Sequence, residues 1–199
     1  MTHPHVNPSR PSAVILAGGR STRFGRDKLA EPIDGRPLLH HAIDAVRPFA
    51  AEILVVCAPS AAPALPDGVT LIHDPAEFAG PLAGLLAGLG AASASVIVVV
   101  GGDMPTLVGA VLGSMVSDLD ASGADAVVLE HDGRARPLPM VLRREPGLAA
   151  TSRLFEAGER RLAALSETLV THAVPEVTWR DLDPEAATMR DIDTQADLD

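Results

Sequence analysis

The chain has 199 residues, the length of one large domain, and its hydrophobic content of 47% supports a core that is almost wholly aliphatic, with four Phe, one Trp and no Tyr. So few rings argue against a stacking platform for single-stranded nucleic acid, and a formal net charge of −10 opposes non-specific binding to any polyanion. An anionic ligand must therefore be drawn in locally, against the overall field.

Met1 to Ser12 contains three Pro, two His and no apolar stretch, which predicts a disordered extension that is neither signal peptide nor anchor. Val14-Ile15-Leu16 reads as a short strand running into a glycine-rich loop that ends at Lys28. Gly35-Arg36-Pro37 then opens a helix, with Pro37 suited to its first turn, and Leu38, Leu39, Ala42, Ile43 and Val46 fall on one face. A second strand covers Ile53 to Cys57 and a third Val69 to Ile72. Cys57, the single cysteine, reads as a buried, inert thiol in a reducing cytoplasm.

From Gly80 to Gly102 run 23 residues without a charge, long enough to span a bilayer. The glycines before Ala91, the break at Ser93 and Ser95 and the β-branched run after it instead predict a helix, Pro81 to Ala92, followed by a buried strand, Val96 to Val100. A helix from Val108 to Ala121 and strands near Ala126–Glu130 and Pro139–Leu142 complete the pattern. Strands alternating with helices predict an α/β domain, three-layered and Rossmann-like, with a mostly parallel central sheet and helices on both faces. Ligands in such sheets sit beyond the carboxyl ends of the strands.

Two elements fall at those ends. The first is the loop Leu16-Ala17-Gly18-Gly19-Arg20-Ser21-Thr22-Arg23-Phe24-Gly25-Arg26-Asp27-Lys28, in which four positive charges face only Asp27. It matches neither a Walker A loop nor a Gly-x-Gly-x-x-Gly turn. Its adjacent glycines can nonetheless present backbone N–H groups to phosphate, with Arg23 and Lys28 neutralising the charge; the competing reading is a turn with solvated arginines. Lys28 is the only lysine among sixteen basic residues, and a compact ammonium suits a phosphate site, although a randomly placed lysine reaches this loop one time in four.

The second element is Asp103, which follows the central strand and precedes Pro105. A carboxylate there suits Mg²⁺, a hard cation that takes oxygen ligands, and it suits a helix cap equally well. Asp191-Ile192-Asp193-Thr194, taken alone, is a polar turn. Gly80, Gly84 and Gly88 form one bare helical stripe, read as close packing at Gly88 and as ligand access at Gly80. The seven histidines lack paired ligand spacing, which argues against zinc. No nucleophile elbow or catalytic dyad stands out. Transfer of a nucleotidyl group to a phosphorylated acceptor needs no base, because the attacking oxygen is already anionic.

Leu16 to Lys28 resembles the signature loop of the molybdenum cofactor guanylyltransferases within the nucleotidyltransferase superfamily. Gly80-Pro81-Leu82-Ala83-Gly84 resembles their second motif, and Gly102-Asp103-Met104-Pro105 their metal-binding motif. Arg136-Pro137-Leu138-Pro139 and Asp191-Ile192-Asp193-Thr194 also have counterparts. The similarity covers about Ala13 to Leu198, which implies a single nucleotidyltransferase domain over residues 13–199.

The resemblance implies transfer of GMP from GTP to the phosphate of molybdenum-bearing molybdopterin, with release of pyrophosphate and Mg²⁺ as cofactor. It implies that Leu16, Ala17, Gly18 and Gly19 line the nucleotide, that Lys28 meets its phosphates, that Asp74 near Gly80 contributes to guanine binding, and that Asp103 holds the metal. Arg23 would stabilise the transferring phosphoryl group, and Arg160 or Arg161 would steer the anionic pterin. A cofactor-delivery chaperone is an implied partner; nucleic acid and membrane are not.

Three departures stand out. Phe24 replaces a usual Met, Ala58-Pro59-Ser60 lacks an Asn, and Asp193 replaces an Asn. An Asp at that position resembles the cytidylyltransferase relatives, where it would be a second metal ligand. This keeps open transfer of CMP or a different phosphorylated acceptor. A non-catalytic nucleotide-binding partner of cofactor-insertion chaperones is a further alternative.

Overall fold

The computed structural model describes residues 10–18, 28–74 and 80–192. Strand β1 (Ser12–Leu16) lies inside the main sheet, and a 3-10 turn (Lys28–Ala30) leads to a two-stranded hairpin of β2 (Pro32–Ile33) and β3 (Arg36–Pro37). There follow α1 (Leu38–Val46), β4 (Glu52–Cys57), β5 (Val69–His73), α2 (Pro81–Ala91), β6 (Val96–Gly101) and α3 (Gly109–Ser122). Strands β7 (Ala126–His131) and β8 (Arg134–Arg143) form a second hairpin. Beyond it lie α4 (Arg144–Glu156), α5 (Ala163–Thr168), β9 (Thr171–Val174), α6 (Glu176–Trp179) and a 3-10 turn (Ala187–Met189).

Seven strands form one sheet in the order β5-β4-β1-β6-β8-β7-β9. Every neighbouring pair is parallel except those involving β8, which runs against both β6 and β7. The alternation of side chains divides the interior into two layers. Ala13 and Ile15 of β1, with Val98 and Val100 of β6, pack on Leu39 and Ile43 of α1 and on Leu112 and Met115 of α3. Val14, Ile97 and Val99 face the opposite way, onto Leu82, Leu85 and Leu89 of α2 and Leu165 of α5. The β-branched run of β6 is thus covered on both faces, each buried aliphatic side chain contributing about 1.5–3 kcal/mol.

The uncharged stretch resolves into α2 and β6, and among the described residues no helix is long and apolar enough to cross a membrane. Gly88 has the packing role its spacing suggested: a Cβ there would lie 2.5 Å from Val14 Cγ1.

Two local expectations need correction. Pro37 does not sit in the first turn of α1. It is extended, with φ −53° and ψ 138°, and pairs with Pro32, because Asp34 and Gly35 take positive φ (50° and 76°) and fold the chain into a tight hairpin first. Strand β8 also begins well before Pro139. Asp132 and Gly133, with φ of 52° and 70°, make the same kind of turn and bring Arg134 opposite His131, with a register shift at Val128/Leu129.

Candidate active site

The sheet order places β4 on one side of β1 and β6 on the other. The chain leaves β1 for β4 through α1 and returns to the far side as β6, so a crevice opens beyond the carboxyl ends of β1 and β6. Leu16 is the last residue of β1, with Ala17 and Gly18 just beyond. The Ala17 N–H donates to Val56 O at 2.7 Å and the Gly102 N–H to Leu16 O at 2.9 Å, which extends the ladder to the lip of the crevice. Gly18 is exposed, and no described atom lies within 4 Å of where its Cβ would be. Gly19 and Arg23 lie outside the described residues.

Lys28 and Asp103 meet here. The Lys28 ammonium lies 2.8 Å from an Asp103 carboxylate oxygen, and the two side chains keep 15% and 30% of their surface exposed. The same ammonium donates to Ile192 O at 2.7 Å, while the Ile192 N–H donates to Asp103 O at 3.0 Å. Asp103, Lys28 and the C-terminal segment are therefore tied in a ring across 164 positions of sequence. Ile192 is anchored by packing on Leu38, with Leu29 and Ile33 against them. Asp193 lies outside the described residues.

The two glycines before Asp103 leave room for this geometry. A Cβ on Gly101 would fall 2.5 Å from Asp103 Oδ1, and one on Gly102 would lie 3.2 Å from Leu39 Cδ1 and 3.4 Å from Leu16 O. The carboxylate thus folds back over bare backbone and into the crevice. Asp103 does not cap α3: Val108 is the capping residue and has no side-chain bond.

Asp74 follows β5, and its N–H donates to Cys57 O at 2.8 Å. Its carboxylate reaches over α2, 3.9 Å from a Cβ placed on Gly84 and beside Leu16. Cys57 is buried, with its thiol toward Ala61 O at 3.5 Å and His73 Nδ1 at 3.8 Å.

Gly80 caps α2 with a positive φ of 88°, and a Cβ there would sit 2.9 Å from Arg160 Cβ. The Leu82 N–H also donates to Arg160 O, at 3.3 Å. Gly80 thus has a packing requirement of its own. The Arg160 guanidinium turns back to Phe155 O (3.1 Å) and Glu159 O (2.7 Å) and lies over the Phe155 ring. Arg161 pairs with Glu159 at 2.8 Å, and Arg161's hydrogen bonds, with that of the Arg160 N–H, lower the Glu159 carboxyl to about 2.

Sequence reading missed two groups. Strand-end carbonyls and Ile192 O have no sequence signature, since any residue supplies them. The second group is His131, Asp132 and Glu176, whose ligand atoms lie close enough for a metal ion. Only the Asp132-Gly133 turn signalled it. The His131 ring contacts both carboxylates (3.1 Å to Glu176, 3.6 Å to Asp132), while the Arg180 guanidinium holds Glu176 Oε1 at 2.9 Å. With an arginine on its central carboxylate, the cluster serves as a hydrogen-bonded network pinning the β7–β8 turn to α6.

Comparison with known proteins agrees with this architecture. Residues 13–173 match the model of the MobA-like NTP transferase domain. The chain is 35% identical over 197 residues to a probable molybdenum cofactor guanylyltransferase of Chloroflexus aggregans, covering 94% of this chain and 91% of that one. It is 35% identical over 153 residues to the molybdenum cofactor guanylyltransferase of Shewanella sediminis, covering 75% and 77%. Among solved structures it is similar to molybdopterin-guanine dinucleotide biosynthesis protein A from Archaeoglobus fulgidus, with a TM-score of 0.79, 24% identity and 94% of each chain covered. The 2-C-methyl-D-erythritol 4-phosphate cytidylyltransferase of Thermus thermophilus shares the fold, with a TM-score of 0.68, 21% identity and 93% and 94% covered. The chain belongs to the MobA-like NTP transferase domain family and is a nucleotidyltransferase.

Proposed function

We propose that this nucleotidyltransferase moves GMP from GTP to the phosphate of molybdenum-bearing molybdopterin, forming the guanine dinucleotide and releasing pyrophosphate. The observation that carries the reading is the pairing of Lys28 with Asp103 at the switch point of the sheet, beside the bare backbone of Gly18. An anionic oxygen of the pterin phosphate attacks the α-phosphorus. A new P–O bond forms there, and the bond to the β-phosphate oxygen breaks. No base is required, so the protein's task is positioning and charge neutralisation.

The donor set fits Mg²⁺, which is held by one or two carboxylates together with substrate phosphates. Asp103 would hold it, with Asp193 as the second candidate; when bound it would polarise the phosphates. Lys28 can exchange its carboxylate partner for a triphosphate oxygen, its ammonium being a mobile point charge. Backbone N–H groups of Gly18 and Gly19 would approach the phosphates, with Ala17 beside them lining the nucleotide, and Arg23 would neutralise charge on the transferring group. Leu16 and Gly80 would flank the nucleoside. Asp74, which reaches over α2, would accept from the N1–H and N2–H₂ of guanine.

Arg161, exposed and paired with Glu159, is the better candidate for the pterin, since the Arg160 guanidinium bonds carbonyls of its own loop and lies over the Phe155 ring. A cytoplasmic setting and a cofactor-delivery chaperone accord with this reading.

Calorimetric titration of GTP, CTP, ATP and UTP, each with and without Mg²⁺, tests it. The expected result is a metal-dependent preference for GTP, followed by pyrophosphate release with molybdopterin. A preference for CTP would move the chain to cytidylyl transfer and make Asp193 a metal ligand.

A further inference from the structure

The loop between β6 and α3 carries Asp103 and is stitched to a C-terminal strap, residues 183–192, at three points. The Ile192 N–H bonds Asp103 O, the Thr106 hydroxyl donates to Ala187 O at 2.7 Å, and the Val108 N–H donates to the Thr188 hydroxyl oxygen at 3.1 Å. The strap is itself organised by one buried carboxylate. Asp183 is 4% exposed and accepts the Ala187 N–H at 2.9 Å and the Thr188 N–H at 2.8 Å. Thr188, fully buried, therefore relays between Asp183, which holds its N–H, and the backbone of Val108, which donates to its hydroxyl oxygen. Ala186 is held at a positive φ of 52°, a conformation unusual for a residue with a Cβ, within the turn that Asp183 closes.

We propose that Asp183 and Thr188 are positioning residues: they fix the Asp103 loop from behind and so set the geometry of the carboxylate that faces substrate and metal. The inference rests on Asp103 being the metal-holding group. Apolar anchoring alone would keep the strap on the protein, since Ala186 and Met189 already pack into the core. The polar stitches add direction: each fixes an atom at or within five residues of Asp103, as outer-sphere partners do for metal ligands.

The test compares Thr188→Val, which keeps the shape and removes the relay, with Thr188→Ser, which keeps the hydroxyl. Ser12→Ala, at the opposite edge of the sheet, serves as a destabilised control. Mn²⁺ binding in the presence of GTP is followed by electron paramagnetic resonance, beside kcat, KM for GTP and Tm.

Thr188→Val should weaken Mn²⁺ binding about tenfold and lower kcat with little change in KM. Thr188→Ser should stay close to wild type, and Ser12→Ala should lose Tm alone. Unchanged Mn²⁺ affinity and kcat in Thr188→Val would reduce the strap to a structural brace and overturn the proposal. Thr106→Val, at an exposed position, gives the same comparison if Thr188→Val fails to fold. Asp103→Asn, run alongside, separates the two readings: Mn²⁺ binding as in wild type would overturn the metal assignment, and the inference with it.

Discussion

The two edges of the central sheet use similar chemistry to opposite ends. At the amino edge Ser12 donates to Glu52. The Ser93 N–H and hydroxyl donate to the same Glu52 oxygen, at 2.6 and 2.7 Å, and the Ala94 N–H donates to the Ser12 hydroxyl oxygen at 3.0 Å. These bonds lock β1, β4 and the turn before β6 together, and each acceptor meets fixed donors. At the carboxyl edge Lys28 and Asp103 are also paired, but they keep exposed surface and face a crevice opened by the change of direction at β1. A charge held by fixed N–H and O–H groups serves stability. A charge held by a mobile ammonium can exchange its partner for a ligand.

The sharpest test of this contrast is removal of the carboxyl-edge charges. Asp103→Asn and Lys28→Ala should each cut turnover on the order of 100-fold or more while Tm changes little. Steady-state pyrophosphate release beside a thermal melt reads both. Near-normal turnover in either variant would break the comparison.

Two glycines then set the edge against the interior. Gly101→Ala forces a methyl onto the Asp103 carboxylate and should lose activity ahead of stability. Gly88→Ala forces a methyl onto the stiff Val14 side chain and should cost about 1–3 kcal/mol of stability with kcat preserved. Urea unfolding of both variants, with kcat measured below the transition, distinguishes the two outcomes.

A smaller effect is expected on acidification. Burial raises the Glu52 carboxyl, but the hydrogen bonds from Ser12 and Ser93 outweigh it and leave it below its ordinary 4.5. Its contribution is therefore complete above the unfolded-state value and is lost as pH falls through the lower folded-state value. Glu52→Gln should flatten the fall in Tm below about pH 4.5 and leave turnover at neutral pH unchanged. An acid profile identical to wild type would show that Glu52 is not the group responsible.

The smallest predicted change is at Arg161, which is exposed and paired with the half-buried Glu159. Arg161→Ala should leave Tm and KM for GTP as they are and raise only the KM for the pterin. An unchanged pterin KM would remove Arg161 from that role.

The sequence was most legible where a local signal is strong. The β-branched run of β6, the helical spacing of α1 and the uncharged glycine-bearing α2 all form where periodicity places them. The C-terminal third was less legible. α4 buries only Gly147, Ala150 and Thr151, and β9 is only four residues long, so neither carries the repeat that marks a buried face. The early start of β8 and the hairpin before α1 were written in Asp132-Gly133 and Asp34-Gly35, turn signals that outrank the apolar pattern around them.

For the site, residue types and spacing alone singled out the glycine loop, Lys28 and Asp103, because a phosphate site needs bare backbone, a mobile cation and a carboxylate at strand ends. The sequence left Asp103 divided between helix cap and ligand-facing group, and only the fold shows it turned back over Gly101 toward Lys28. It gave no hint that Ile192 closes the ring or that Asp183 and Thr188 stand behind Asp103. Each of those contacts has a backbone carbonyl or N–H group at one end, 80 to 164 positions from its side-chain partner. Every residue carries those groups alike, so only the packed chain decides which of them meet.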